Sequence, residues 1–289
     1  MRTLATSVVC LLLSLPAHAA VSSSGDVDPV LDADGDTALN GSLSVGEGLA
    51  NGNTTIGTMT IDAGTQVVSG DGIVGNRLGA NGTVVIRDEG SEWASNDDMF
   101  IGNDGYGDVF VSNRGIISAA DDFSIGELDD GRGWVSIADA ASLLNANDIL
   151  TVGRAGSGSL HASDFARVVS DSGVVGSSAN STGFVTVQEQ ASWRMSQDLT
   201  IAASGVGTLT IADGGLVENA TGRVTTNAGN GTVTVTGRNS LWLNRDDLIL
   251  ADPGSATLNI EDHGLVQVRN VVANNLSGRI VMDLSLIHI

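Results

Sequence analysis

The sequence predicts an all-β protein: a right-handed, single-stranded parallel β-helix of 9–10 coils with about 25 residues per coil. Three observations predict it. A small residue followed by alternating apolar positions recurs nine times. Gly is abundant (38 residues) and Pro scarce (3), which suits many short strands joined by tight turns. The chain is 42% hydrophobic and rich in Val, Ile and Leu, so it has the material for a core that a disordered chain lacks.

Residues 1–19 read as a signal peptide. Met1-Arg2 is a short positive start, Leu4 to Leu15 is mostly apolar, and Pro16 breaks the run. Ala17-His18-Ala19 then places small residues where a signal peptidase reads, so cleavage is expected after Ala19. The apolar run is too short to span a bilayer. Cys10 is the one cysteine and lies in this segment without a lipoprotein-type box. The mature chain is therefore expected to be exported to the outer membrane, the cell surface or the medium, with no lipid anchor and no disulfide.

Residues 20–42 read as an acidic N-terminal linker or cap. Asp32-Ala33-Asp34-Gly35-Asp36 hints at a calcium loop, but Gly stands at the fourth loop position and Leu43 takes the place of the bidentate Glu. A solvated linker is the expectation there.

Residues 43–283 read as the repeat array. The recurring motif is Gly57-Thr58-Met59-Thr60-Ile61, then Gly82-Thr83-Val84-Val85-Ile86, and so on to Ala256-Thr257-Leu258-Asn259-Ile260. Successive copies start 25, 25, 26, 25, 25, 24, 24 and 25 residues apart. Each copy follows an apolar pair ending in a small residue, such as Phe100-Ile101-Gly102 or Val174-Val175-Gly176. A third apolar site follows at Val67, Ile117, Val168, Val217 or Val266. Alternation of period two sends one face inward, so each repeat makes three short strands and one coil. One coil buries too little to fold alone; stability comes from stacking.

A longer period lies over the first. Trp93, Leu143, Trp193 and Trp242 are 50, 50 and 49 residues apart, each closely following Ser91, Ser142, Ser192 or Ser240. The alternate coils carry Gly115-Ile116-Ile117, Gly215-Leu216-Val217 and Gly264-Leu265-Val266. The unit is thus a pair of unlike coils. Gly90-Ser91-Glu92-Trp93, Ala191-Ser192-Trp193, Ser240-Leu241-Trp242 and Gly207-Thr208-Leu209-Thr210-Ile211-Ala212-Asp213-Gly214-Gly215 resemble the repeats shared by type V secretion (autotransporter) passengers and PEP-CTERM-associated bacterial proteins. The resemblance covers about residues 43–283 and departs from the pattern at Leu143, Ala202 and Ala251. It implies a passenger β-helix without catalytic residues, displayed at or released from the outer membrane. It also implies a translocator barrel as partner, C-terminal to these 289 residues.

Residues 284–289, Leu-Ser-Leu-Ile-His-Ile, can be encoded by CTG TCT CTT ATA CAC ATC, which resembles the transposon end used in sequencing libraries. They are expected to be adapter-derived.

The net charge of -21, with Arg as the only strong base, makes nucleic acid a poor partner. Asp98, Asp122, Asp148, Asp171, Asp198 and Asp247 precede a strand in many of the coils. A cation ladder and turn-capping carboxylates are the two readings, and turn capping is the expectation. Gly70-Asp71-Gly72-Ile73-Val74-Gly75 matches a dinucleotide fingerprint without the helix it requires, so it reads as turn glycines. His161 and His263 stand about four coils apart, too far for a triad. Phe110, Trp134 and Phe184 take outward sites, where they stack on neighbours or serve as adhesive contacts. No catalytic, cofactor or metal residue is assigned. The expected function is a structural passenger or stalk in adhesion or surface display, facing host or matrix polysaccharide or protein. The alternatives are a polysaccharide-active β-helix enzyme with a loop-walled carboxylate cleft, and an anchored extracellular matrix protein of the PEP-CTERM type.

Overall fold

The computed structural model describes residues 20–49, 53–251, 253–273, 278–282 and 286–288. Residues 1–19, the expected signal peptide, lie outside these residues, as do 284, 285 and 289 of the apolar tail. The described chain is all-β. Among the described residues, three sheets of 12, 11 and 11 strands run the length of the stack, parallel throughout the coils, and the chain visits them in turn.

Among the described residues, nine complete coils follow from this order, and Gly278–Met282 stacks on the ninth. Their first-sheet strands are Thr55–Asp62, Ala80–Arg87, Tyr106–Ser112, Arg132–Ile137, Ser157–Ala162, Thr182–Val187, Val206–Ile211, Asn230–Thr236 and Ser255–Glu261, numbered here coils 1 to 9. Each coil continues through a second-sheet strand and a third-sheet strand, Gln66–Ser69 and Gly72–Val74 in coil 1. At about 4.8 Å per stacked strand, nine coils rise roughly 40 Å.

The motif alternation sets the core. Met59, Val84, Val109 and Val135 pair rung over rung and are buried, as are Ile61, Ile86, Val111 and Ile137 two residues on. Coils turn from the third sheet back to the first through a left-handed backbone position. Gly102 (φ 69°) and Gly126 (φ 76°) hold it in coils 2 and 3, with a Cβ barred by the first-sheet backbone at Arg132 and Ser157, respectively. Ala202 (φ 59°), Thr225 (φ 67°) and Ala251 (φ 56°) hold the same conformation without glycine, so the two alanine departures change the residue and keep the turn.

The N-terminal residues close the stack with reversed polarity. Ala20–Gly25 runs antiparallel along Thr55–Asp62, and Val27–Asp28 antiparallel to Leu43–Val45. Val21 and Val27 enter the core from these strands, and Leu31 from the loop that follows them. The short segments cover two of the otherwise open parallel edges. At the other end, Leu286–His288 pairs with Leu265–Gln267.

Register corrects the longer period by one residue. Trp93 pairs with Ile117, and the column continues through Leu144, Val168, Trp193, Val217 and Trp242. Leu144, not Leu143, therefore stands in the tryptophan position; Leu143 faces outward. The small residue ahead of the strand shifts likewise. Ser91, Ser142 and Ser240 are buried in one column whose coil 6 member is Ala191, not Ser192.

These serines seal corners between coils. Their hydroxyls accept the backbone N–H of Gly64, Arg114 and Gly214, each at 3.0 Å, from the preceding coil. Where Ala191 supplies no hydroxyl, the equivalent amide of Phe165 donates instead to the carbonyl of Glu189 at 3.0 Å.

The tryptophans explain why the unit is two coils. Each indole N–H donates to the coil before: Trp93 to Ser69 Oγ at 3.1 Å, Trp193 to Ser170 Oγ at 3.0 Å, Trp242 to Asn219 Oδ1 at 2.9 Å. Each ring also covers a glycine of that coil. A Cβ added at Gly72, Gly173 or Gly222 would stand 2.9, 2.6 or 2.8 Å from Cζ2 of the respective indole. The fourth pair, coils 3 and 4, exchanges the whole set. Leu144 replaces Trp, Ala119 replaces the acceptor and Phe123 replaces the glycine, and all three are buried.

Candidate functional site

The acidic ladder resolves into two adjacent columns. Asp98, Asp122, Asp198 and Asp247 directly precede the paired core positions of the third sheet, where coils 4 and 5 place Ile149 and Ser172. Asp148 and Asp171 belong one residue earlier, in line with Asp97 and Asp121, through backbone bonds from Asp121 to Asp97, Asp148 to Asp121 and Asp171 to Asp148. The single ladder expected from spacing is thus corrected. In coils 4 and 5 the carboxylate stands one residue further from the core position, and Ile149 and Ser172 take the place next to it.

The carboxylates serve the turns. Asp98 Oδ1 accepts the Asp122 N–H at 3.1 Å, Asp122 Oδ1 that of Ile149 at 3.1 Å, and Asp198 Oδ1 that of Thr221 at 3.0 Å. Crowding is real: ligand oxygens of Asp71, Asp97 and Asp98 lie within 4.8 Å of one another, as do those of Asp121, Asp122 and Asp148. Burial first, then the charges of Asp122, Asp97 and Asp121, push the Asp98 carboxyl above the usual carboxylate range, against the Asp122 amide that lowers it. In the acidic N-terminal segment, Asp36 Oδ1 accepts the Gln66 N–H at 2.9 Å. Gly72 and Gly75 of the apparent dinucleotide fingerprint sit in a strand and its following turn, with no helix after them.

Among the described residues, His161 is in coil 5 and exposed His263 in coil 9, which keeps them four coils apart. A depression of about 610 Å³ lies over the second sheet of coils 6 to 8, lined by Gln190, Arg194, Asp213 and Arg238 among others. It is open, and Arg194 within it is paired to Glu218 at 2.7 Å.

The feature that departs most from the repeat lies on the outer face of the first sheet. One outward column reads Thr58 and Thr83, then Asp108, Trp134, Ser159 and Phe184, then Thr208, Thr232 and Thr257. Threonine is what a solvent-facing strand position favours. Four consecutive coils abandon it. Tyr106 and Phe110 flank Asp108 on its own strand, and Trp134 is its rung partner in coil 4. Phe110 and Trp134 meet edge to face, with ring centroids 5.1 Å apart and planes at 85°. The Arg132 guanidinium lies 5.4 Å over the Tyr106 ring. Both expected roles of the outward aromatics are thus geometrically open: Trp134 stacks on its neighbour, yet it remains 37% exposed, Tyr106 48% and Phe184 45%.

Asp108 sits half-buried in the middle of this cluster. Burial among the rings raises its carboxyl above the usual range, and among the described residues it has no hydrogen-bond or ion-pair partner. Alternation marked Phe110, Trp134 and Phe184 as outward; Tyr106, Arg132 and Asp108 were missed. The loss of Thr from the column was the available signal. No protein-family model, curated protein or solved structure matches the chain.

Proposed function

We propose that the chain is a structural stalk of an exported bacterial surface protein, of the passenger type. The observation that carries this reading is the unbroken register of nine coils, with steps of 24 to 26 residues and no insertion long enough to wall a cleft. Such an array spaces and presents surface; its outward positions vary without disturbing the inward columns. The acidic surface supports solubility outside the cell. The N-terminal pattern of Met1 to Ala19 supports export, and the absence of cysteine beyond Cys10 is compatible with threading through an envelope.

The test is fractionation of the native host. Expected is a product beginning at Ala20, degraded by protease added to intact cells. A cytoplasmic, protease-protected product still carrying Met1 overturns the reading.

A further inference from the structure

We propose that the aromatic face of coils 3 to 6 is a binding platform for a neutral polysaccharide lying along the stack, built on Tyr106, Phe110, Trp134 and Phe184 around Asp108. This deepens the surface-stalk reading by naming its ligand, and the binding itself does not depend on the secretion route.

The argument starts from composition. Aromatics are 3% of the chain, and three of its four tryptophans are wholly buried. Four of the remaining rings share one sheet face within four coils, and two of them, Trp134 and Phe184, stand in a column where the flanking coils carry threonine. A ring on a pleated sheet is held by the ladder beneath it, so the platform is rigid before any ligand arrives. Trp134 and Phe184 stand in one column with Ser159 between them, two strand spacings or about 10 Å apart. That separation is close to the disaccharide repeat of an extended β-linked pyranose chain, whose alternate rings present the same C–H face.

The polar groups select the ligand class. Sugar rings offer C–H faces to aromatic faces and hydroxyls to carboxylates. Asp108, partnerless and hemmed by rings, is an acceptor without a donor, and a glycan hydroxyl supplies one. Ser159 and His161 lie one coil beyond Trp134 and add further hydrogen-bonding groups. A polyanionic glycan is disfavoured by the net charge of -21 and by Asp108 itself. An apolar protein surface is disfavoured because covering Asp108 would strand its charge.

The structure also supplies the reporter. Trp134 is 37% exposed while Trp93, Trp193 and Trp242 are 0% exposed, so a ligand on the platform changes the emission and iodide quenching of one tryptophan. The purified protein is run in affinity gels containing a soluble β-1,4-glucan, a xylan, a galactomannan or, as the polyanion, alginate, and titrated with the same polymers by fluorescence. Expected is retardation by at least one neutral polymer, with Trp134 protected from iodide. Trp134→Ala and Phe184→Ala each weaken binding about tenfold. Asp108→Asn weakens it without loss of folded structure. Phe165→Ala, at an exposed ring on a different corner, leaves it unchanged. The proposal is overturned if the folded protein binds none of the neutral polymers, if alginate alone binds, or if folded Trp134→Ala and Phe184→Ala both bind as the parent does. Any of these leaves the stalk reading standing, because that reading fails by location.

Discussion

The exchange of three residues between coil pairs can be run in reverse. Trp193→Leu removes a wholly buried indole and the hydrogen bond its N–H gives to Ser170 at 3.0 Å. Trp→Ala substitutions in cores cost about 3–5 kcal/mol, and Leu retains part of that burial, so about 2–3 kcal/mol is expected from packing. The Ser170 hydroxyl, 4% exposed, then loses its donor, which adds about 1 kcal/mol. The single variant should lose about 3–4 kcal/mol.

Coils 3 and 4 show what restores it. There Leu144 stands with Ala119 and Phe123, and the rung after Ala119 is Ala146. In coils 5 and 6 the equivalent of Ala146 is Met195, and a Cβ at Gly173 would lie 2.9 Å from the Met195 sulfur. Phenylalanine at Gly173 therefore needs Met195 reduced as well. The variant Trp193→Leu, Ser170→Ala, Gly173→Phe, Met195→Ala reproduces the coil 3–4 set and should fall within about 1.5 kcal/mol of the parent. Gly173→Phe alone, against the intact indole, is overpacked and should lose about 3 kcal/mol or more. Urea denaturation by circular dichroism reads the totals. Amide hydrogen exchange in coils 5 and 6 reads the local effect, since stacked repeats couple mainly to neighbours. A fourfold variant no more stable than Trp193→Leu refutes the idea that the four residues form one packing unit.

Three further outcomes follow from single positions. Thr225→Gly relieves a β-branched residue at φ 67° and a buried hydroxyl without a partner, and thermal melting should show a gain of about 1 kcal/mol after the added chain entropy of glycine. Asp98 has a folded pKa above its unfolded one, so the native state holds the proton more tightly and stability falls as pH rises from the ordinary carboxylate range through the raised value. Asp98→Asn keeps an oxygen for the Asp122 amide; it should be more stable than the parent at neutral pH and equal to it at pH below that range, and lower stability at neutral pH refutes the assignment. Arg245 reaches back from coil 8, donating to the carbonyls of Met195 at 2.8 Å and Ser196 at 2.7 Å in and just after the second-sheet strand of coil 6. Arg245→Ala should speed amide exchange along this corner, whereas Arg114→Ala, which breaks an exposed pair with Glu89, should stay within about 0.5 kcal/mol of the parent.

The coil repeat was legible because its signal is local: alternation places Val109 and Val111 inward whatever lies above them. The one-residue slips at Leu143 and Ser192 have a local cause too. Leu143-Leu144 and Ala191-Ser192 each offer two residues of the same kind, and only the rung opposite tells which faces in. Partners in a neighbouring coil were not legible. Ser69 and Gly72 lie more than 20 residues before Trp93 and become its acceptor and its floor only once the coils stack. The two acidic columns merged in sequence because coil lengths vary by a residue, so a one-residue shift of the Asp relative to the core position is invisible to spacing. For the aromatic face, alternation identified outward rings, but Asp108 gained meaning only from the rings around it.

The two-coil unit follows from the size of one side chain. An indole lying over a neighbouring coil occupies that coil as well as its own, so the next coil cannot carry another at the same position. Hence tryptophan can recur only at every second coil, and the coil beneath must supply a glycine and an acceptor. Coils 3 and 4 escape this rule inside, where Leu144 and Phe123 stand in place of the indole and the glycine, and are also where the outer face exchanges threonine for Asp108 and Trp134. The two departures are separable in principle, because inward and outward residues alternate along each strand and share only the backbone. A stack of this kind can therefore change its outer face without changing its core. The core exchange in coils 3 and 4 preserves packing within itself, as the burial of Ala119, Phe123 and Leu144 requires. The surface exchange is compensated only in part: Phe110 packs on Trp134 and Arg132 on Tyr106, but the rings stay exposed and a carboxylate is left unpaired. A departure that packing explains only in part, beside one that it explains fully, is the physical reason to look for a ligand on that face.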